Sequence, residues 1–423
     1  MPDDRSAPRL PVPALTGADE SLRPYIRQRF PGGLAIGFEG DGLRAAAETK
    51  EAILGGQKIV YGAAFAGEGI LIIFDVLAEI DGRWFGYVFK PSTRIKERHL
   101  VDVALCDQIA QSAGFYLDEP CLLLLNMQYV RRGSISPQDL FIEERVGRRL
   151  RIHQHLVRGR MQMLKRMGAK AVARAAAGEA QVKPGTPRPQ ARSEMPPVSD
   201  TPAALEVDRA SLRGFLDGLR YPLYFMDFEA YQTAVPEYDG HWPFRQLPFQ
   251  FSVHRLDAPG GALHQEAFIA PGDAEPTGAF GAALLDATGT EGSVLVYNVD
   301  SEQLILDQLE GDHPQWSGPI EALRKRLVDL IIPFSRQYIR IPSIGNKLSL
   351  KYILPALVPD MSYSALEIAG GDEANQAYNA LRESSDLQFI EATRTALLAY
   401  CEVDTLAMVR ILEKMVRLCD EPA

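Results

Sequence analysis

Cysteine is scarce, with four residues in a chain of 423. Cys106, Cys121, Cys401 and Cys419 form no C-x-x-C pair and no zinc-module spacing. That pattern argues against a disulfide-stapled secreted fold and against a structural zinc site. Long apolar runs are missing as well. Runs such as Ile70–Phe74 and Cys121–Leu125 fall far short of the roughly 20 residues needed to cross a bilayer. The opening residues 1–13 lack the apolar stretch of a secretory signal. No internal repeat is visible. These absences lead us to expect a reduced, cytoplasmic protein with no membrane segment. Positive charge is also in short supply, 45 Lys and Arg against 55 Asp and Glu, for a net charge of −10. That balance is unfavourable for a polyanionic partner.

The charge is unevenly spread. Residues 1–200 carry 28 basic against 23 acidic side chains, and residues 201–423 carry 17 against 32. Residues 145–192 hold 13 basic residues, among them Arg148 and Arg151, and one acid, Glu179. Such a block suits either phosphate neutralisation or a solvated linker. Apolar content of 46% and charged content of 24% are ordinary for a soluble globular chain. Residues 175–204 are rich in Ala, Pro, Ser and Gly and have no apolar period, so they read as a flexible linker. The expected division is a domain over 20–165, a basic, Pro- and Ala-rich linker over 166–204, and a domain over 205–420. Both halves read as α/β.

What stands out is a series of carboxylates in the second half. Residues 222–227 are an apolar strand pattern ending in Asp227, with Glu229 two positions on. On a strand, residues i and i+2 share a face, so the two acids converge. Ser293–Tyr297 reads as a strand that leads through Asn298 into a helix with Glu302 in its first turn. Asp300 competes for the same role, but the spacing from Asn298 favours Glu302. Residues 386–415 show helical apolar spacing through Leu397, Leu398, Val403, Met408 and Leu412, which puts Tyr400 and Asp404 on one face. Four hard carboxylates are the donor set that a pair of Mg²⁺ or Mn²⁺ ions requires. Asp329 is a candidate support for this site, a helix N-cap or a surface acid.

The ordered set D-x-E, N-x-x-x-E and Y-x-x-x-D resembles the three motifs of DEDD-type 3′→5′ exonucleases, in their tyrosine subclass. The stretches from Tyr221 to His254, Asn346 to Tyr363 and Tyr400 to Leu412 resemble the bacterial domain-of-unknown-function family 2779, over about residues 207–415. That resemblance implies an RNase H-like mixed sheet with flanking helices. It implies two metal ions held by Asp227, Glu229, Glu302 and Asp404, with Tyr400 orienting the attacking water. One departure is Ser301, where the family has phenylalanine.

The first half reads helix 41–54, strands 58–64, 69–77 and 84–90, helix 100–113 and strand 121–128. This αβββαβ order, with Asp75 and Lys90 at strand ends, resembles the restriction-endonuclease-like PD-(D/E)xK core of RecB and Cas4 relatives. The likeness runs through Phe30–Gly33, Thr49–Glu51, Ile72–Leu77 and His99–Ala110. The acid expected beside the lysine is replaced by Val88, and Cys106 stands where a glutamine is usual. The cysteines of an iron–sulfur cluster are missing, so no such cluster is expected. One carboxylate makes a poor Mg²⁺ site, and the resemblance therefore implies a degenerate domain.

Between the first two strands of the second half, Tyr238, His241, Trp242, Phe244 and Arg245 suit either base stacking or cover for the sheet. Lys347 and Lys351 flank an expected helix start and read either as phosphate contacts or as solvated lysines. Two functions of different class follow. One is a metal-dependent exonuclease hydrolysing DNA or RNA by a two-metal mechanism. The other is a non-catalytic nucleic-acid-binding or scaffold protein built from inactive nuclease folds.

Overall fold

Two buried sheets organise the chain in the computed structural model, which describes residues 20–38, 41–176, 205–363, 366–368 and 370–420. The residues divide into two compact units. The first contains the described residues up to 176 together with Thr233–Arg245; the second contains 205–232 and 246–420. No described helix is long and apolar enough to cross a membrane.

The first unit has a six-stranded sheet in the order β1 to β6: β1 (Leu34–Ala35), β2 (Ile59–Gly67), β3 (Ile70–Ile80), β4 (Arg83–Phe89), β5 (Glu119–Leu125) and β6 (Phe141–Arg145). Its helices are α1 (Arg23–Arg29), α2 (Gly42–Leu54), α3 (Glu97–Ser112), α4 (Pro137–Leu140), α5 (Gly147–Leu150) and α6 (Gln154–Ala176). Pairing is antiparallel from β2 through β4 and parallel between β4 and β5. The expected αβββαβ order is present, with β1 and β6 added at the edges. The strands are nearly continuous apolar runs because both faces are covered. On one face Val103, Cys106 and Ile109 of α3 pack on Phe74, Val88 and Leu122; on the other, Ile26 and Phe30 pack on Tyr87 and Leu123. Helix α6 runs on through Ala176, so the first residues of the expected linker are helical. The remainder of that linker, 177–204, lies outside the described residues.

The second unit contains β7 (Glu206–Val207), α7 (Arg209–Asp217), β8 (Leu223–Tyr231), β9 (Leu247–Leu256), β10 (Leu263–Ile269), α8 (Thr277–Ala287), β11 (Ser293–Val296), α9 (Asp300–Asp312) and α10 (Ser317–Arg324). It continues through β12 (Leu327–Asp329), α11 (Ile332–Ser335), β13 (Ile339–Arg340), α12 (Leu350–Leu357), α13 (Gly371–Glu383) and α14 (Leu387–Asp420). Its main sheet has the order β10-β9-β8-β11-β12. The β8, β9 and β10 strands are antiparallel neighbours, whereas β11 and β12 run parallel to β8. Period-two alternation splits β8 cleanly. Tyr224, Met226 and Phe228 pack with Phe251, Phe280, Val294 and Leu306. Phe225, Asp227 and Glu229 point to the opposite face, where α14 packs against β8 and β9.

Candidate metal centre

The register of β8 and β9 prepares this second face. Phe225, Asp227 and Glu229 lie directly across from His254, Ser252 and Gln250. Side chains paired across a ladder point the same way, so an acidic row lies beside a neutral polar row. Both rows meet α14. Ser252 Oγ and His254 Nδ1 each lie 2.8 Å from Thr405 Oγ1, and Gln250 Nε2 donates to the Leu397 carbonyl at 2.6 Å. Burial pulls the His254 imidazole down to about 4, so it is a neutral member of this seam. These bonds fix the rotation of α14. Tyr400, Cys401 and Asp404 then face the acids, as the three- and four-residue spacing requires.

One oxygen from each of Asp227, Glu229 and Asp404 lies within 4.8 Å of the other two. Glu302 is outside this triplet, but its charge reaches Asp227. Glu302 is buried in the first turn of α9, just past the carboxyl end of β11, while Asp300 is exposed. Of the two acids, the one favoured by the spacing from Asn298 is thus the buried one. The turn that delivers Glu302 is held by Asp329 at the end of β12. Asp329 Oδ1 accepts the Asn298 N–H at 2.9 Å and the Ile331 N–H at 2.9 Å, and Oδ2 accepts the Val299 N–H at 3.2 Å. Asn298 has φ +68°, a left-handed conformation that asparagine tolerates better than most residues. Asp329 thus holds the turn, and its charge also acts on Glu302.

Electrostatics reflect the crowding. Burial, then Asp404, Glu229 and Glu302, push Asp227 far above the usual carboxylate range. Burial and then Asp404 raise Glu229 to about 8, relieved by Lys351. Burial raises Glu302 to about 7 and Asp404 to about 6. For Asp404 the increase is held back by hydrogen bonds from Tyr363 and Tyr400 and by Lys351. So many adjoining carboxylates cannot all be ionised near neutral pH without a cation. Cys401 is fully buried beneath them, with Sγ 3.7 Å from Asp227 Oδ2.

Tyr363 was not singled out from sequence, yet its hydroxyl donates to Asp404 Oδ1 at 2.6 Å. It comes from the stretch between α12 and α13, where no periodic signal marks it. Tyr400 bonds the same carboxylate. Burial, followed by the carboxylates, raises both phenols, so each stays a neutral hydroxyl. Lys351, near the start of α12, acts on Glu229 and Asp404, whereas Lys347 stacks over the Tyr352 ring at 4.8 Å.

The other sequence candidates belong to the first unit. Trp242 and Phe244 are half-buried and Arg245 is buried. The Arg245 guanidinium stacks over Trp242 at 4.6 Å, and Phe244 packs against the core around Tyr87 and Phe141. The Thr233–Arg245 segment is tied to Arg131, whose Nη1 donates to the Pro236 carbonyl at 3.1 Å and whose N–H donates to His241 O at 2.9 Å. Phe244 thus takes part in covering the core, and Trp242 and Arg245 stack on each other. Arg148 is exposed on α5; Arg151 begins the following turn.

At the expected N-terminal site, Asp75 accepts the Phe89 N–H at 2.7 Å, and burial raises its carboxyl to about 6. Val88 is in the core. The Lys90 side chain is mostly buried, and its Nζ lies 2.6 Å from Asp102 Oδ2, an acid on α3 without a signal in the sequence. Among the described residues, this pair belongs to no group of three potential metal ligands.

Comparison with curated proteins and with solved structures gives no match. Residues 224–349 match the family model Domain of unknown function (DUF2779). The matched stretch carries Asp227, Glu229 and Glu302 and ends before Tyr400 and Asp404.

Proposed function

We propose that the second unit is a metal-dependent nuclease, a DEDD-type 3′→5′ exonuclease of the tyrosine subclass acting on DNA or RNA. Asp227, Glu229, Glu302 and Asp404 would hold Mg²⁺ or Mn²⁺. The observation that carries this reading is the convergence of Asp227, Glu229 and Asp404 to within 4.8 Å, from a strand and a helix far apart in sequence. The donor set is all carboxylate oxygen, which suits a hard divalent ion. Its raised, mutually repelling acids lack sufficient countercharge. A sheet of three antiparallel strands continued by two parallel ones is compatible with an RNase H-like fold, and the site lies at the carboxyl ends of its parallel strands.

A divalent ion at such a site lowers the pKa of a water and offsets the charge that builds on a phosphoryl group. The protein's own part is positioning. Asp227 and Glu229 are set by the rigid central strand, Asp404 by the α14 seam, and Glu302 by the Asp329-capped turn. Tyr363 and Tyr400 orient the Asp404 carboxylate. Tyr400, kept neutral, acts as a hydrogen-bonding guide for water and not as a base.

For the first unit, we propose a degenerate PD-(D/E)xK core with no catalytic role. Val88 in place of the acid and the Lys90–Asp102 pair favour that reading. Exposed Arg148 and neighbouring Arg151 remain proposed phosphate contacts. Four free cysteines support a cytoplasmic setting.

The test is cleavage of labelled single- and double-stranded DNA and RNA in Mg²⁺ or Mn²⁺. Asp404→Asn should lower the rate at least about a hundredfold, because the amide keeps the size of the side chain and loses the anionic ligand. If the wild type cuts none of these substrates, the non-catalytic binding reading replaces this one.

A further inference from the structure

The glycines at the start of α13 sit close against the acidic site. A Cβ on Gly371 would lie 3.7 Å from Glu229 Oε2, and one on Gly370 would lie 2.9 Å from Lys351 Nζ. Consecutive backbone positions thus lie beside the carboxylate and the ammonium. Lys351 also acts electrostatically on Glu229 and on Asp404, two members of the carboxylate triplet. The lysine is exposed overall, on the first turn of α12, so its long stem brings a hydrated cation to the mouth of a buried anionic cluster. A lysine ammonium is a mobile point charge with no fixed fork geometry. It can lend charge to these acids and can also be displaced from them.

We infer that Lys351 is the resident counter-cation of the acidic site and competes with a divalent ion for Glu229 and Asp404. Such competition rests on the metal-site reading above but does not require cleavage of nucleic acid. With the ion absent, the ammonium offsets part of the repulsion between the acids. With the ion bound, like charges at the same carboxylates repel, and the ammonium turns outward, where a phosphate of the substrate can take it. Lys351 therefore weakens metal affinity while favouring an anionic substrate.

The experiment is a Mn²⁺ titration of the full chain by calorimetry at pH 8, in parallel with nuclease assays, on wild type, Lys351→Met, Lys351→Gln and Lys351→Arg. Removal of the charge should tighten Mn²⁺ binding about 3- to 10-fold, as expected for a like charge several ångströms from a divalent ion in a partly solvated site. Lys351→Arg should stay within about twofold of wild type, because the charge is retained. If the wild type cleaves nucleic acid, the neutral variants should lose activity mainly through a higher KM. Unchanged or weaker Mn²⁺ binding in a folded Met or Gln variant overturns the competition, and so does a wild type that binds no Mn²⁺. Tightened Mn²⁺ binding without cleavage of any substrate upholds the competition and removes the nuclease reading. Met and Gln differ in polarity, and either one that folds suffices to decide.

Discussion

Removing one acid should stabilise the metal-free protein while abolishing its response to metal. Glu229 is the residue to change, because burial and Asp404 push its carboxyl from 4.5 to about 8. The unfolded chain loses this proton near pH 4.5, and the folded chain keeps it to about pH 8. The folded state therefore binds the extra proton between those values, and stability falls as pH rises through that window. The stability linked to this proton is fully present below about pH 4.5 and lost once pH passes about 8. Each pH unit of separation corresponds to about 1.4 kcal/mol, so the ceiling is on the order of 4–5 kcal/mol. Asp404 titrates with Glu229, and relief is shared between them, so roughly half that figure is a reasonable expectation. In a unit of this size 1 kcal/mol moves Tm by about 2–4 °C. Glu229→Gln in EDTA at pH 8.5 should thus melt roughly 5–10 °C above wild type, and the gap should close towards pH 5. Adding Mn²⁺ should reverse the order, because the ligand stabilises only the form that binds it. Calorimetric melts across pH 5–8.5, with EDTA and with Mn²⁺, measure all of this. A difference independent of pH, or a wild type more stable than the variant in EDTA at pH 8.5, would refute the account of crowded charge.

Three further outcomes follow from named contacts. Tyr363→Phe removes a donor that holds Asp404 down, so the pH of half-maximal Mn²⁺ binding should move up by about half to one unit; no movement would make Tyr363 a packing residue. Asp329→Ala frees three backbone N–H groups and a left-handed Asn298. It should cost about 1–3 kcal/mol in chemical denaturation and weaken Mn²⁺ binding through displacement of Glu302. Lys90→Ala should leave hydrolysis nearly untouched while lowering stability by about 1–2 kcal/mol, because Asp102 is left half-buried without its cation. Abolished hydrolysis in that variant would put chemistry in the first unit.

What the sequence disclosed, it disclosed through local period. Asp227 and Glu229 were legible because a strand repeats every two residues, and Tyr400 with Asp404 because a helix repeats every 3.6. Glu302 needed a spacing argument, and its burial beside exposed Asp300 agrees with it. Contacts that cross long sequence distances had no such signal. Tyr363 reaches Asp404 from 41 residues upstream, out of an irregular stretch. Asp102 looks like any solvated helix acid until Lys90 is found against it. The aromatic arm Thr233–Arg245 belongs by sequence to the second half and by packing to the first unit, which hydrophobic patterning alone does not convey.

The acids on β8 also break the pattern that makes the strand. Residues on the face covered by α14 would ordinarily be apolar, and Phe225 begins that face as expected. Asp227 and Glu229 then place carboxylates where burial raises both. Replacing buried charges by apolar residues of similar volume is often neutral or stabilising, so fold stability alone gives no reason for this row. The neighbouring row on β9 answers a different need, since Ser252, His254 and Gln250 reach partners on α14. The seam sets the helix, and the helix completes the acidic site with Asp404. A local rule broken by the acids, beside polar residues that orient their partner, is how a sequence sacrifices stability for a site. The proposed metal role of Asp227, Glu229 and Asp404 therefore rests on the energetics of their burial as well as on their order in the chain.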